Sequence, residues 1–244
     1  MPIRNSLHAQ LAASGTPRNT APDYAMTMNL ELARHNMTEL QVRGWEVLDT
    51  HVLDVLGQVH REDFVPAAYR NLAFADMALP LGHGEEMMHP VVEGRLLQAL
   101  RLTGHEDVLE IGTGSGFLSA CLATLARRVA SVDMHASFIE DAGKRLAAAG
   151  IDNVELVHAE AVNEYRPGGV FDVVVVTGAV ASVPERFLRW LKSGGRMFVV
   201  RGLAPAMEAV LLHHEGEGRY REESLFETDL PYLAHAQPET RFAL

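Results

Sequence analysis

The stretch Val108-Leu-Glu-Ile-Gly112-Thr-Gly114-Ser-Gly116 constrains this chain more than any other. An apolar run carries an acid, Glu110, two residues ahead of the first of three alternating glycines. A buried strand, a turn with no side chains in the way and the start of a helix produce that order of residue types. Glycine there lets a ligand lie against bare main chain, and two of the three are expected in backbone conformations that side chains disfavour. Glu110, at the strand end, sets a carboxylate beside whatever fills the crevice. The pattern is that of a nucleoside-cofactor site built from Glu110, Gly112, Thr113, Gly114, Ser115 and Gly116. A tight strand-to-helix turn without a ligand is the plain alternative.

The residue types select among cofactors. A dinucleotide fingerprint needs its third glycine where Phe117 stands. A phosphate-cradling loop needs a Lys after its last glycine, and none follows Gly116. A pyrophosphate is therefore disfavoured, and an acid ahead of the turn repels anions further. The same acid suits a ligand with an amino group and a sulfonium charge. S-adenosylmethionine (SAM), converted to S-adenosylhomocysteine (SAH), fits. Arg128-Val-Ala-Ser-Val-Asp133 reads as a second strand ending in an acid 21 residues after Gly112, about the distance at which such folds place a ribose-binding carboxylate. Asp133, followed by Met134, is expected at the ribose, and a helix-capping role is compatible with that. A third strand, Val154–His158, leads to Glu160 and Ala161, where Glu160 is placed at the adenine amino group or is a solvated loop acid.

A formal net charge of −11, with no basic run longer than two residues, argues against a nucleic-acid partner. No stretch approaches the roughly 20 apolar residues that cross a bilayer, and no continuous apolar region follows the N-terminal Arg4. No membrane partner is expected, and the cytoplasm is the expected location. The single cysteine, Cys121, reads as a small core residue. Twelve histidines without an H-E-x-x-H spacing give no metal site. Oligomeric state is left open.

Three regions follow from the pattern. Residues 1–25 read as a flexible leader. Residues 26–103 read as an N-terminal helical cap and active-site lid, with helices from Leu30, from Asp49 as N-cap and near Val91–Leu102, separated by an irregular stretch from Phe64 to Gly84. Residues 104–244 read as a SAM-binding domain. There, strands 108–111, 129–132, 154–158, Phe171–Thr177 and Arg196–Val200 alternate with helices 116–126 and 135–149 and a third started by Ser182 and Pro184. Met207–His214 and Arg219–Phe226 form an antiparallel hairpin. The fold class is α/β: a doubly wound, Rossmann-like, seven-stranded methyltransferase sheet with an antiparallel C-terminal hairpin and an N-terminal helical cap.

Several further segments, in order, carry a more specific likeness. Asp63-Phe-Val-Pro66, Leu72-Ala-Phe-Ala-Asp76, Leu79-Pro-Leu-Gly-His-Gly84, the glycine turn, Phe171–Thr177 and Leu191-Lys-Ser-Gly-Gly195 make residues 28–202 resemble the protein-L-isoaspartate O-methyltransferase family. The resemblance implies a SAM-dependent O-methyltransferase acting on isoaspartyl carboxylates in damaged protein or peptide. It also implies that residues 85–90 form a lid over the transfer site. The family's lid reads approximately G-x-G-Q-T-I-S-x-P, whereas this chain has Glu86 in place of the Thr and Met88 in place of the Ser associated with the active site. Met88 donates no hydrogen bond and Glu86 repels a carboxylate. Those two positions are therefore the candidate catalytic ones, with packing under the loop as the alternative for Met88. A different methyl acceptor, or a SAM-binding protein with weak chemistry, stays open.

Overall fold

The computed structural model describes residues 29–239; the leader expected over residues 1–25 lies outside them. The cap begins with α1 (Leu30–Asn36), whose N-cap Asn29 accepts from Leu32 N at 3.0 Å, and continues into a π turn over Met37–Val42. Helix α2 (Thr50–Gln58) starts where the sequence places it: Asp49 accepts from His51 N at 2.9 Å, and Val52, Leu53, Val55 and Leu56 form its buried face. The stretch read as irregular is preceded by a 3₁₀ turn, Arg61–Asp63, and contains a second, Ala67–Leu72. It ends in a hairpin of β1 (Leu79–Gly82) and β2 (Glu85–Met87) that forms its own two-stranded sheet. Helix α3 (Pro90–Leu100) follows with proline in its first turn, where no N–H is needed, and stops at Arg101 in a left-handed conformation.

The sheet domain runs β3 (Asp107–Ile111), α4 (Phe117–Leu125), β4 (Arg128–Asp133), α5 (Ala136–Ala148), β5 (Val154–His158), β6 (Phe171–Val180), α6 (Glu185–Arg189), β7 (Leu191–Leu203), β8 (Ala206–Gly216) and β9 (Arg219–Thr228). The strands lie in the order β5-β4-β3-β6-β7-β8-β9. The first five are parallel and β8 and β9 antiparallel, matching the expected five strands plus a hairpin edge. Val173 to Val176 in β6 have no exposed surface, which is why that segment carries no polar alternation. Each such valine contributes roughly 1.5–3 kcal/mol by burial. Strands β6 and β7 run past their sequence-predicted ends, to Val180 and Leu203.

From β3 the chain winds outward through β4 and β5, then returns to β6 on the other side. The carboxyl ends of β3 and β6 therefore flank the point where strand order reverses, the place such sheets keep for a ligand. The segment before β3 packs on the sheet through a shared core that joins Leu56 and Leu96 to Phe117, Val175 and Phe198. Cys121 is buried in it, as expected, and burial pushes its thiol up. Among the described residues, no helix is long and apolar enough to cross a membrane.

Candidate active site

The glycine turn sits at the reversal point. Gly112, Gly114 and Gly116 take φ of +99°, +50° and +84°, so all three, not two, adopt conformations side chains disfavour. The turn is held from three directions. Thr177 Oγ1 on β6 lies 2.8 Å from Ile111 O and 2.9 Å from Gly112 O, leaving no room for a Cβ at Gly112. Asp133 Oδ2, at the end of β4, accepts from Gly114 N at 2.9 Å. Arg145 of α5 donates to Ser115 O at 3.0 Å. Thr113 Oγ1 meets Ser131 Oγ at 2.6 Å.

Glu110 is fully buried. Its Oε2 accepts from the Ser119 hydroxyl and from Ser131 Oγ, the latter at 2.5 Å, because β3 and β4 are registered with Glu110 opposite Ser131. Its Oε1 is buried with no hydrogen-bond partner among the described residues, and Glu110 lines the crevice. Burial raises its pKa to about 8; the two hydroxyls pull it down, while the charges of Asp133 and Glu93 push it up. A buried acceptor without a donor is expensive unless a ligand or water supplies one, and a cationic amino group suits it.

The crevice spans about 900 Å³ when the solvent at its open mouth is included. Every sequence-predicted site residue lines it except Gly116, which caps α4 beneath the turn. Phe117 does not block it; that ring lies under Arg61 at 4.8 Å and edge-on to Phe64 at 5.9 Å. Beyond its bond to Gly114, Asp133 accepts from His135 N at 2.8 Å through Oδ1. It thus supports the start of α5, as the sequence allowed, with lone pairs left over on both oxygens. Glu160 is more committed than expected: its two oxygens accept from Val162 N and Asn163 N, capping the turn that follows. Met134 is 40% exposed and Ala161 buried at that end.

The β1–β2 hairpin forms the facing wall. Met87 and Met88 are buried within the core, whereas Glu86 is exposed at the rim. Leu81 leans on the glycine turn: a Cβ at Gly114 would meet its Cδ1 at 3.1 Å. Two contributors were not anticipated from sequence. Arg61, fully buried, donates to Met88 O and pairs with Glu93, which also lines the crevice. The segment Pro231–Ala234 lies along the end of β6, with Tyr232 bridged to Ala179 and Leu233 N donating to Ala179 O at 2.8 Å. Tyr232 OH, which donates to Gly202 O and accepts from Ala204 N, fixes this strap. Among the described residues, no group of three or more His, Cys, Asp or Glu is placed to hold a metal.

Comparison with known proteins agrees with this architecture. The family model for protein-L-isoaspartate(D-aspartate) O-methyltransferase matches residues 33–226. Protein-L-isoaspartate O-methyltransferase 1 of Rhodopseudomonas palustris (strain HaA2) is 34% identical over 192 residues, covering 79% of this chain and 78% of the relative. Protein-L-isoaspartate O-methyltransferase of Methylorubrum populi is 35% identical over 190 residues, covering 78% of this chain and 89% of the relative. Among solved structures, a Plasmodium falciparum protein bearing the name protein-L-isoaspartate O-methyltransferase beta-aspartate methyltransferase (PCMT), in complex with SAH, superposes with a TM-score of 0.71 at 16% identity, covering 84% of this chain and 98% of that one. A second structure, named protein-L-isoaspartate O-methyltransferase, also gives 0.71, at 24% identity, covering 82% of this chain and 65% of that one. At these identities the structures speak for the fold, whereas the family model and the sequence relatives carry the assignment: the chain belongs to the protein-L-isoaspartate(D-aspartate) O-methyltransferase family.

Proposed function

We propose that the protein transfers the methyl group of SAM to the carboxylate of L-isoaspartyl residues in protein or peptide. The observation that carries this reading, beside family membership, is the buried, donorless Oε1 of Glu110, a residue that lines a crevice floored by bare glycine backbone. Glu110 takes the amino group of the methionine moiety, and the main chain from Gly112 through Thr113, Gly114 and Ser115 to Gly116 carries that moiety. Asp133 accepts from the ribose, Met134 covers the adenosine, and Glu160 with Ala161 borders the adenine.

Bound there, the sulfonium supplies an electrophilic methyl that a carboxylate displaces in line. A carboxylate is already ionised at neutral pH, so no general base is required and the chain contributes proximity and orientation. The hairpin excludes water over the turn, Arg61 fixes its root through Met88 O, and Met88 offers the acceptor an apolar wall. Glu86, at the rim, acts on which acceptors enter. Cytoplasmic location and residues 26–103 as a cap with its lid on a SAM-binding unit of 104–244 belong to the same reading.

A second reading, methyl transfer to a different acceptor, is favoured by the charge of the lining. Glu85, Glu86, Glu93, Glu110, Asp133 and Glu160 face the crevice, and among the described residues no Lys or Arg does. Six acids suit a cationic donor better than an anionic acceptor. Methyl incorporation from SAM into an isoaspartyl peptide and its aspartyl twin, by wild type and by Met88→Ser, separates the readings. Selective methylation of the isoaspartyl peptide by wild type supports the first. Methylation of neither peptide by wild type, with SAM still bound, rejects it.

A further inference from the structure

Among the described residues the lid hairpin is hydrogen-bonded to no other strand, so side chains alone set its position. Its base is held by the buried Leu79 and Met87. Its tip is the two-residue loop His83-Gly84, with φ of +57° and +83°. Such a turn favours Asn or Gly at its first central position; His83 stands there instead, in a conformation few side chains adopt.

What His83 gains is contact with the opposite wall. Its ring stacks on that of His135 with centroids 4.2 Å apart and planes 12° from parallel. Both imidazoles meet Phe138 edge-on, at 5.4 and 5.1 Å. His83 Nε2 lies 3.0 Å from Ser137 Oγ, and His135 Nε2 lies 3.8 Å from Glu85 Oε1, back on the hairpin. His135 and Phe138 both line the crevice, at the head of α5 and next to Asp133 and Met134. The stack therefore bridges the two walls between which a nucleoside is read to lie.

We propose that His83 is a positioning residue, clasping the lid hairpin to the head of α5 so that the clasp sets how long the adenosyl cofactor stays bound. This rests on the reading of the crevice as the SAM site. A packed aromatic pair supports a change of about 3- to 10-fold.

The test is stopped-flow SAH dissociation from the full-length protein, wild type against His83→Ala, His135→Ala, His83→Phe and His83→Ala/His135→Ala. His83→Ala is expected to dissociate about 3- to 10-fold faster with an unchanged melting temperature. His83→Phe, which keeps the stack, is expected to restore slow release, and the double variant to behave like the single one. Equal dissociation in wild type and His83→Ala, or additive effects of the two alanines, would overturn the clasp. Hydrogen exchange of the 84–87 amides in the ligand-free protein reads the same contact without the cofactor: His83→Ala is expected to speed it. If wild type binds no SAH, the cofactor reading falls, and unchanged exchange would then remove the clasp separately.

Discussion

Arg61 Nη2 donates to the main-chain carbonyl of Met88 at 2.7 Å, so the root of the lid hangs from a guanidinium with no exposed surface. The same side chain donates to Ala73 O at 2.9 Å and pairs with Glu93, which burial raises to about 7 despite the opposing pull of Arg61. One cation thus ties the loop before the hairpin, the hairpin's end and α3 to one another. An excellent fit is required for such a buried pair to be worth its desolvation.

Arg61→Leu is expected to lose about 3–5 kcal/mol, because it leaves the Glu93 carboxyl and two carbonyls buried without their donor. Adding Glu93→Leu is expected to regain part of that, since the buried acid goes while Ala73 O and Met88 O stay without their donor. Urea unfolding of the three proteins checks this. A single variant as stable as wild type would show that the network holds nothing.

Glu110 makes the ligand-free protein pH-sensitive in a defined direction. Its folded pKa of about 8 lies above the ordinary 4.5, so folding favours the protonated acid. That contribution is complete below pH 4.5 and is lost as pH rises through about 8. Glu110→Gln should therefore flatten the decline in melting temperature between pH 5 and 8 and stabilise the free protein at pH 7 by on the order of 3 kcal/mol. An unchanged decline would mean Glu110 is ionised in the fold.

The same acid should couple cofactor binding to proton release. An ammonium group beside Oε1 favours the carboxylate, so binding at pH 7 is expected to release close to one proton. Affinity should rise by up to about 10-fold per pH unit toward pH 8 and then level. Calorimetric titration with SAH in two buffers of different ionisation enthalpy measures the proton directly. Glu110→Gln should abolish its release and weaken binding; release unchanged in that variant would place the proton elsewhere.

Gly114 separates fold from cradle. Its φ of +50° and the 3.1 Å separation between an added Cβ and the flexible end of Leu81 make alanine strained but accommodable, by about 1–2 kcal/mol. The added methyl would stand on the cofactor bed, and overpacking of that size is expected to weaken SAH binding by about 10- to 100-fold. Melting and binding curves of Gly114→Ala check both halves, and undiminished affinity would move the ligand off the turn.

Much of this architecture is legible in the residues because the sheet half obeys local rules. Val173–Val176 announce a buried strand, Glu110 to Gly116 a strand, turn and helix, and Asp133 the end of the next strand. The lid hairpin is not legible: β1 and β2 are four and three residues long, contain Pro80 and Gly82 and show no alternation, so they read as irregular chain. Arg61 gives no local sign of burial, since its partners lie 12 to 32 residues away. Glu160 reads as either an adenine-binding acid or a solvated loop acid, because nothing in sequence shows that its oxygens close onto Val162 and Asn163. Pro231–Ala234 reads as a tail, and only the return of the chain to β6 brings Tyr232 to the crevice.

The central claim is that the adenosyl donor rests on the glycine turn between Glu110 and Asp133, under the hairpin. Diffraction from crystals grown with SAH tests it most directly. The amino group is expected at Glu110 Oε1, the ribose hydroxyls at Asp133 and the sulfur facing Met88. SAH bound in any other cleft, or a saturated crystal with this crevice empty, would contradict it.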